Sequence, residues 1–217
     1  MADYQRRRTM MVDTQVRPSD VTKFPIIEAL LEIPREDYLP DALREAAYIG
    51  ENIELEGGRV LLEPRTLAKM LDAADIKPHE VVLDLGCVLG YSSAVLARLA
   101  DFVVAVEENA TWAEEAQQNL SANGVDNAAV FEGPLTHGAA KNGPYDVIML
   151  QGAVEHIPDG LYEQIKDGGR IVALFAEGAL GIARVGYKLD GRINWRMSFN
   201  ASAPVLPGFA RHHAFVL

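Results

Sequence analysis

From residue 81 onward, nearly continuous apolar runs alternate with amphipathic stretches. The runs are Val81–Leu85, Phe102–Val106, Ala128–Phe131, Val147–Leu150 and Arg170–Phe175. Runs this short and this apolar suit strands buried on both faces of a parallel sheet. Between them the spacing predicts helices over Ser92–Leu99, from the capping-box pattern Thr111-Trp112-Ala113-Glu114 to near Asn123-Gly124, and over Asp159–Lys166, closed by Gly168-Gly169. Strands alternating with helices imply right-handed crossovers and a doubly wound α/β fold. The tail then changes period. Val185, Tyr187 and Leu189 alternate with smaller or polar residues up to Asp190-Gly191, and Ile193, Trp195, Met197 and Phe199 alternate with Asn194, Arg196 and Ser198 beyond it. Asp-Gly between two alternating runs predicts an antiparallel hairpin, which brings the sheet to seven strands.

The first sixty residues read as helices broken by prolines. Ser19-Asp20 is placed to cap a helix through Ile26–Leu31, Pro34 stops it, and Pro40 opens a short helix over Asp41–Ala47. Gly57-Gly58 marks a turn, and Pro64 suits the first position of a helix through Leu67, Met70 and Leu71. The expected organisation is one domain over residues 1–217, with a helical N-terminal cap over 1–75 packed on a core over 76–217.

Composition narrows the partners. Hydrophobic residues make up 49% and charged residues 24%, an ordinary soluble balance. A net charge of −11 repels polyphosphate, so no nucleic-acid partner is expected; the short basic run Arg6-Arg7-Arg8 reads as a solvated tail. The single cysteine, Cys87, excludes an intrachain disulfide and fits a reducing compartment. The start of the chain lacks the apolar stretch of a signal peptide, and no segment approaches ~18 uninterrupted apolar residues. A cytoplasmic protein with no membrane association is expected. The five histidines, His79, His137, His156, His212 and His213, show no ligand spacing with carboxylates or Cys87, so no metal is assigned. Cys87 and the two tryptophans, Trp112 and Trp195, read as packing residues.

The richest stretch is Val81-Val82-Leu83-Asp84-Leu85-Gly86-Cys87-Val88-Leu89-Gly90-Tyr91, a strand running into a glycine-marked turn and then a helix. Such a turn aims backbone N–H groups at whatever sits above the strand end, where open parallel sheets bind ligands. Seventeen residues after Gly90, the next strand ends in Glu107. A carboxylate there can accept hydrogen bonds from both ribose hydroxyls, so a nucleoside-containing cofactor is expected. Gly86-x-x-x-Gly90 lacks the Gly-x-Gly-x-x-Gly spacing of dinucleotide binders, which disfavours an NAD-dependent dehydrogenase. A parallel sheet finished by an antiparallel hairpin resembles the S-adenosylmethionine-dependent methyltransferases instead.

A series of segments makes the resemblance specific. It runs Ile33-Pro34-Arg35-Glu36-Asp37-Tyr38-Leu39-Pro40, Ala47-Tyr48, Val82–Gly86 through Gly90-Tyr91, Val106-Glu107, Pro144-Tyr145-Asp146-Val147-Ile148, Ile157-Pro158 and Asp167-Gly168-Gly169-Arg170. In this order and spacing the chain resembles the protein-L-isoaspartate O-methyltransferase family over most of its length. The resemblance implies a methyltransferase that uses S-adenosylmethionine to methylate the α-carboxylate of isoaspartyl residues in damaged proteins, a first step of repair. It implies a cofactor held by Asp84, Gly86, Cys87 and Gly90 on the methionine and ribose side, by Glu107 on the ribose hydroxyls, and by Gly133 and Leu135, within Glu132-Gly133-Pro134-Leu135, beside the adenine. Its substrate is a protein or peptide carboxylate. Methyl transfer to an already ionised carboxylate is mainly alignment of donor and acceptor.

Three departures from the family pattern bear on that function. The middle glycine of the family's Gly-x-Gly-x-Gly turn is Val88, a residue disfavoured at positive φ. Leu62 occupies the position of the family's active serine, so no catalytic residue is assigned. The family's Gly-Asp-Gly after the third strand is Gly133-Pro134-Leu135, without the aspartate. Arg59 and Arg65 flank the altered serine motif; they either hold an anionic acceptor or lie on the surface. Gln151-Gly152-Ala153-Val154 after the fourth strand lacks the Asn/Asp-Pro-Pro-aromatic motif of nucleobase amino-methyltransferases. Leu62 favours a related enzyme with a changed acceptor. Val88 and Pro134 favour a non-catalytic binding or regulatory member.

Overall fold

The computed structural model describes residues 3–177 and 180–211. Helix α1 spans Tyr4–Met11 and continues as a wide helical turn to Val16; α2 spans Phe24–Glu32. Pre-proline Ile33 is extended, as expected of a residue clashing with the Pro34 ring. A small hairpin follows, β1 (Ile53–Glu54) and β2 (Val60–Leu61), then α3 (Pro64–Ala74), with Pro64 in its first turn. The core alternates β3 (Val81–Leu85), α4 (Tyr91–Ala97), β4 (Phe102–Glu107), α5 (Ala110–Ala122), β5 (Ala128–Glu132), β6 (Tyr145–Val154), α6 (Asp159–Glu163) and β7 (Ile165–Glu177). It ends in the hairpin β8 (Leu180–Leu189) and β9 (Arg192–Asn200).

The strand order is β5-β4-β3-β6-β7-β8-β9, parallel through β7 and antiparallel beyond it. The order reverses on either side of β3, so the switch point at the ends of β3, β4 and β6 is where such a sheet opens a crevice. Alternation along the strands builds a core on each face. Val82, Val147 and Met149 pack with the N-terminal helices, α3 and α4, whereas Leu83, Leu85, Ile148 and Leu150 pack with Leu135, Leu161, Leu206 and Phe209. The segment after β9 returns across the sheet: Val205 bridges Ala153, and the Leu206 N–H donates to the Ala153 carbonyl at 2.8 Å.

Several local expectations shift. Ser19-Asp20 does not cap α2; Asp20 is left-handed (φ 64) and the helix starts beyond it, at Phe24 with Pro25 in its first turn. Asn109, not Thr111, caps α5, its side chain accepting from the Trp112 N–H at 3.1 Å. The helix expected over Asp159–Lys166 stops at Glu163, because buried Ile165 pairs with Tyr145 and joins the sheet. The helix expected over Ser92–Leu99 runs Tyr91–Ala97 instead. His212 and His213 lie outside the described residues.

One buried ion pair ties α3 to the sheet. The Arg170 guanidinium, on β7, donates to both oxygens of Glu80 at 2.8 and 2.7 Å and to the carbonyls of Ala74 and Asp75 at the end of α3. Burial pushes the Glu80 carboxyl up, but the bonds from Arg170 and the Lys77 N–H outweigh it and hold it below its ordinary 4.5. A carboxyl held below its unfolded value adds stability above that value and loses it as the pH falls through the folded one. Glu80→Gln should therefore cost about 3 kcal/mol at pH 7. In urea denaturation this deficit should shrink as the pH drops below 4.5.

Candidate functional site

The turn after β3 carries its expected geometry with one strained residue. Gly86 (φ 83), Val88 (φ 53) and Gly90 (φ 97) all take left-handed backbone, and the Gly90 N–H closes the turn on the Cys87 carbonyl at 2.8 Å. For β-branched Val88 this costs on the order of 1–2 kcal/mol. The strain has a visible return: it aims the Val88 N–H at Glu107 Oε2, 2.9 Å away.

Glu107 ends β4 completely buried, and every acceptor direction is used. Oε1 accepts from the N–H groups of Glu108 (3.0 Å) and Asn109 (3.2 Å), and Oε2 from Val88. The remaining partner is Arg59, whose two terminal nitrogens each donate to one oxygen at 3.0 Å. Arg59 is 5% exposed. It is therefore not a surface arginine, and the anion it holds here is the protein's own Glu107. The β1–β2 hairpin carries it over the turn, where its Nη2 lies 2.8 Å from the point a Gly86 Cβ would occupy, so glycine is required there for close approach. Its Cζ sits 5.8 Å from the Trp112 ring centroid. Its Nε is buried without a partner. Arg65, by contrast, is partly exposed, with Glu63 and the Asn200 carbonyl beside it.

Asp84 lies under the turn rather than over it. Ser92 and Ser93, at the start of α4, donate to its Oδ2 at 2.6 and 2.7 Å, and the Gln151 amide donates to Oδ1 at 2.6 Å. Burial still pushes its carboxyl up, and the charge of Glu107 adds to that. Cys87 is buried; burial, with the charges of Asp84 and Glu107, drives its thiol well above the ordinary range. The Gly133 N–H donates to the Glu107 carbonyl at 3.0 Å, and Leu135 is fully buried with its Cδ1 3.5 Å from the Gly86 Cβ position. Leu62 is buried as well, its carbonyl accepting from Arg35 at 2.6 Å. The structure thus brings Leu135 to Gly86 and Glu107 to the Val88 N–H in the same turn, with Asp84 behind it, whereas Gly90 packs on Ala116 of α5 and Gly133 meets only the Glu107 backbone.

The expected cofactor can be tested against that turn. A ribose needs acceptor capacity on Glu107 and space above Gly86. Arg59 takes the first. Arg59, Leu135 and Leu206, whose Cδ2 is 3.3 Å from the Gly86 Cβ position, take the second. On the other side of the turn, Leu62, Gly86, Cys87, Val88 and Gln151, among others, leave a void of only about 10 Å³, room for about one water. In this conformation the seat does not fit a nucleoside. Outside it lies a groove of about 850 Å³ lined by Asp41, Arg44, Glu54, Glu56, Val88 and Trp112, among others. Sequence reasoning missed Leu206, Ser92 and Ser93 as parts of the site: the two serines adjoin the turn but nothing in the spacing announces their bonds to Asp84, and Leu206 reaches the turn only in the folded chain.

Residues 6–196 match the family described as Protein-L-isoaspartate(D-aspartate) O-methyltransferase. A protein-L-isoaspartate O-methyltransferase of Syntrophus aciditrophicus is 37% identical over 79% of this chain and 79% of its own length. One from Koribacter versatilis is 33% identical over 86% of this chain and 84% of its own. Among solved structures, a protein-L-isoaspartate O-methyltransferase superposes with a TM-score of 0.80 at 24% identity, covering 93% of this chain and 66% of that one. A Plasmodium falciparum structure described as a putative protein-L-isoaspartate O-methyltransferase in complex with S-adenosyl-L-homocysteine gives 0.79 at 15% identity, covering 95% and 99%. At these identities the superpositions speak for the fold.

Two predictions follow from the geometry. Arg59→Met leaves Glu107 buried without its charge partner and should cost about 3 kcal/mol in urea denaturation, with Arg59→Met/Glu107→Gln recovering most of it. The raised, buried Cys87 thiol should resist 5,5′-dithiobis(2-nitrobenzoate) at pH 8 in the native protein and react fully once the chain is unfolded.

Proposed function

We propose that this chain, which belongs to the protein-L-isoaspartate(D-aspartate) O-methyltransferase family, is an S-adenosylmethionine-dependent O-methyltransferase acting on carboxylates of isoaspartyl residues in proteins. The observation that carries the reading is Glu107. It stands at the end of β4, beside the sheet's switch point, pinned by three backbone N–H groups, one of them Val88 in the β3 turn. That is the placement a ribose-binding acid requires. Gly86, Cys87 and Gly90 in the turn, and Gly133 and Leu135 after β5, are proposed to hold the cofactor, with Asp84 supporting the turn from below. The acceptor is proposed to be a protein or peptide carboxylate, with no nucleic acid involved. No helix among the described residues is long and apolar enough to cross a membrane. A cytoplasmic setting goes with this reading.

The Arg59–Glu107 pair, with Leu135 and Leu206 closing on Gly86 beside it, favours a second reading, a member that keeps the fold and acts without the cofactor as a binding protein. Melting in the presence of S-adenosylhomocysteine separates the two. A native-state ligand at 100 times its dissociation constant adds about 2.7 kcal/mol, which should raise the melting temperature by several degrees. No shift at millimolar ligand overturns the enzyme reading. If a shift is seen, methyl transfer to an isoaspartyl peptide tests the acceptor, and an inert peptide rules isoaspartate out.

A further inference from the structure

The cofactor seat holds a side chain of the protein's own. Arg59 meets Glu107 with two parallel donors, one to each oxygen, and both carboxylate oxygens are fully used as a result. It lies on the one glycine of the turn that leaves room for close approach. Leu206, arriving on the segment after β9, closes the remaining volume.

Two observations distinguish a latch from a permanent plug. Arg59 is not fully satisfied where it sits, because its Nε is buried with no acceptor. The residues that deliver it, Gly57 and Gly58, are exposed and left-handed (φ 64 and 72), and nothing packs where their side chains would stand, so no side-chain packing fixes the hairpin tip. A place to go lies alongside. The groove beside Val88 presents Glu54, Glu56, Asp41 and Glu115 with the ring of Trp112, over which Arg59 already leans. A guanidinium leaving Glu107 would find carboxylates and an aromatic face there.

We propose that Arg59 is an internal stand-in for the cofactor's ribose: it holds Glu107 in the ligand-free chain, and a nucleoside cofactor binds by displacing it toward the acidic groove. This rests on the cofactor use proposed above. The apparent dissociation constant is the intrinsic one divided by the open fraction, so a latch closed about 90% of the time weakens binding about tenfold.

The experiment is calorimetric titration of S-adenosylhomocysteine into the full chain and into Arg59→Gln, with circular dichroism to confirm the variant's fold. In parallel, a Trp195→Phe chain keeps Trp112 as the sole tryptophan, and its emission is followed during the same titration. The latch predicts at least tenfold tighter binding by Arg59→Gln, and a change in Trp112 emission as Arg59 withdraws. Equal affinity in the two chains overturns the latch and leaves the cofactor reading standing. Binding by neither overturns both. Should Arg59→Gln fail to fold, the Trp112 signal decides on the native arginine: saturating heat of binding with unchanged emission overturns the proposal.

Discussion

The buried carboxylate of Glu107 is the interaction around which the switch point is organised. Five donors converge on it: three backbone N–H groups and the two arms of Arg59. Together they tie three pieces of chain to one charge. Val88 brings the strained turn after β3, Glu108 and Asn109 the approach to α5, and Arg59 the β1–β2 hairpin from the N-terminal region. A charge taken out of water is tolerated only when its acceptors are filled by well-aimed donors. That requirement accounts for a valine held at φ 53, because relaxing its backbone would withdraw one of the donors.

The departures from the family pattern, dispersed along the sequence, converge in space. Leu62 and Val88 line the same small space, Leu135 packs beside Gly86 with Pro134 just before it, and Arg59 reaches over Gly86. Polar or minimal residues at these positions would leave a wet crevice. The residues present fill it with apolar side chains and a neutralised ion pair, and the filling is mutual, since Arg59 can be buried only because Glu107 is there to meet it.

The sheet was legible because burial writes itself into composition. Strands closed on both faces read as apolar runs, and β8 and β9 announced themselves by alternation and by Asp190-Gly191, both left-handed at the turn (φ 51 and 72). Element ends were less legible because competing partners decide them: Asn109 outbid Thr111 for the cap of α5, and Ile165 left α6 for the sheet. In the site, Gly86, Cys87, Gly90 and Glu107 followed from the strand–turn–helix pattern. The role of Arg59 did not, because its partner lies 48 positions away and no local rule ties one arginine to one distant acid. Leu206 was hidden for the same reason, on a segment with no regular pattern that the fold returns to the sheet.

A buried pair of opposite charges also shapes how a sequence can drift. Either partner changed alone passes through a state with an unmatched charge in the interior, so neutral drift by single steps is closed at both positions. A lineage that keeps Glu107 without Arg59 must therefore meet that charge with another donor set, such as the hydroxyls of a bound ligand. Leu62 and Leu135, packed nearby without charge, remain free to vary among apolar residues of similar volume. Within a set of relatives, the identity at position 59 should divide the lineages more sharply than overall similarity does.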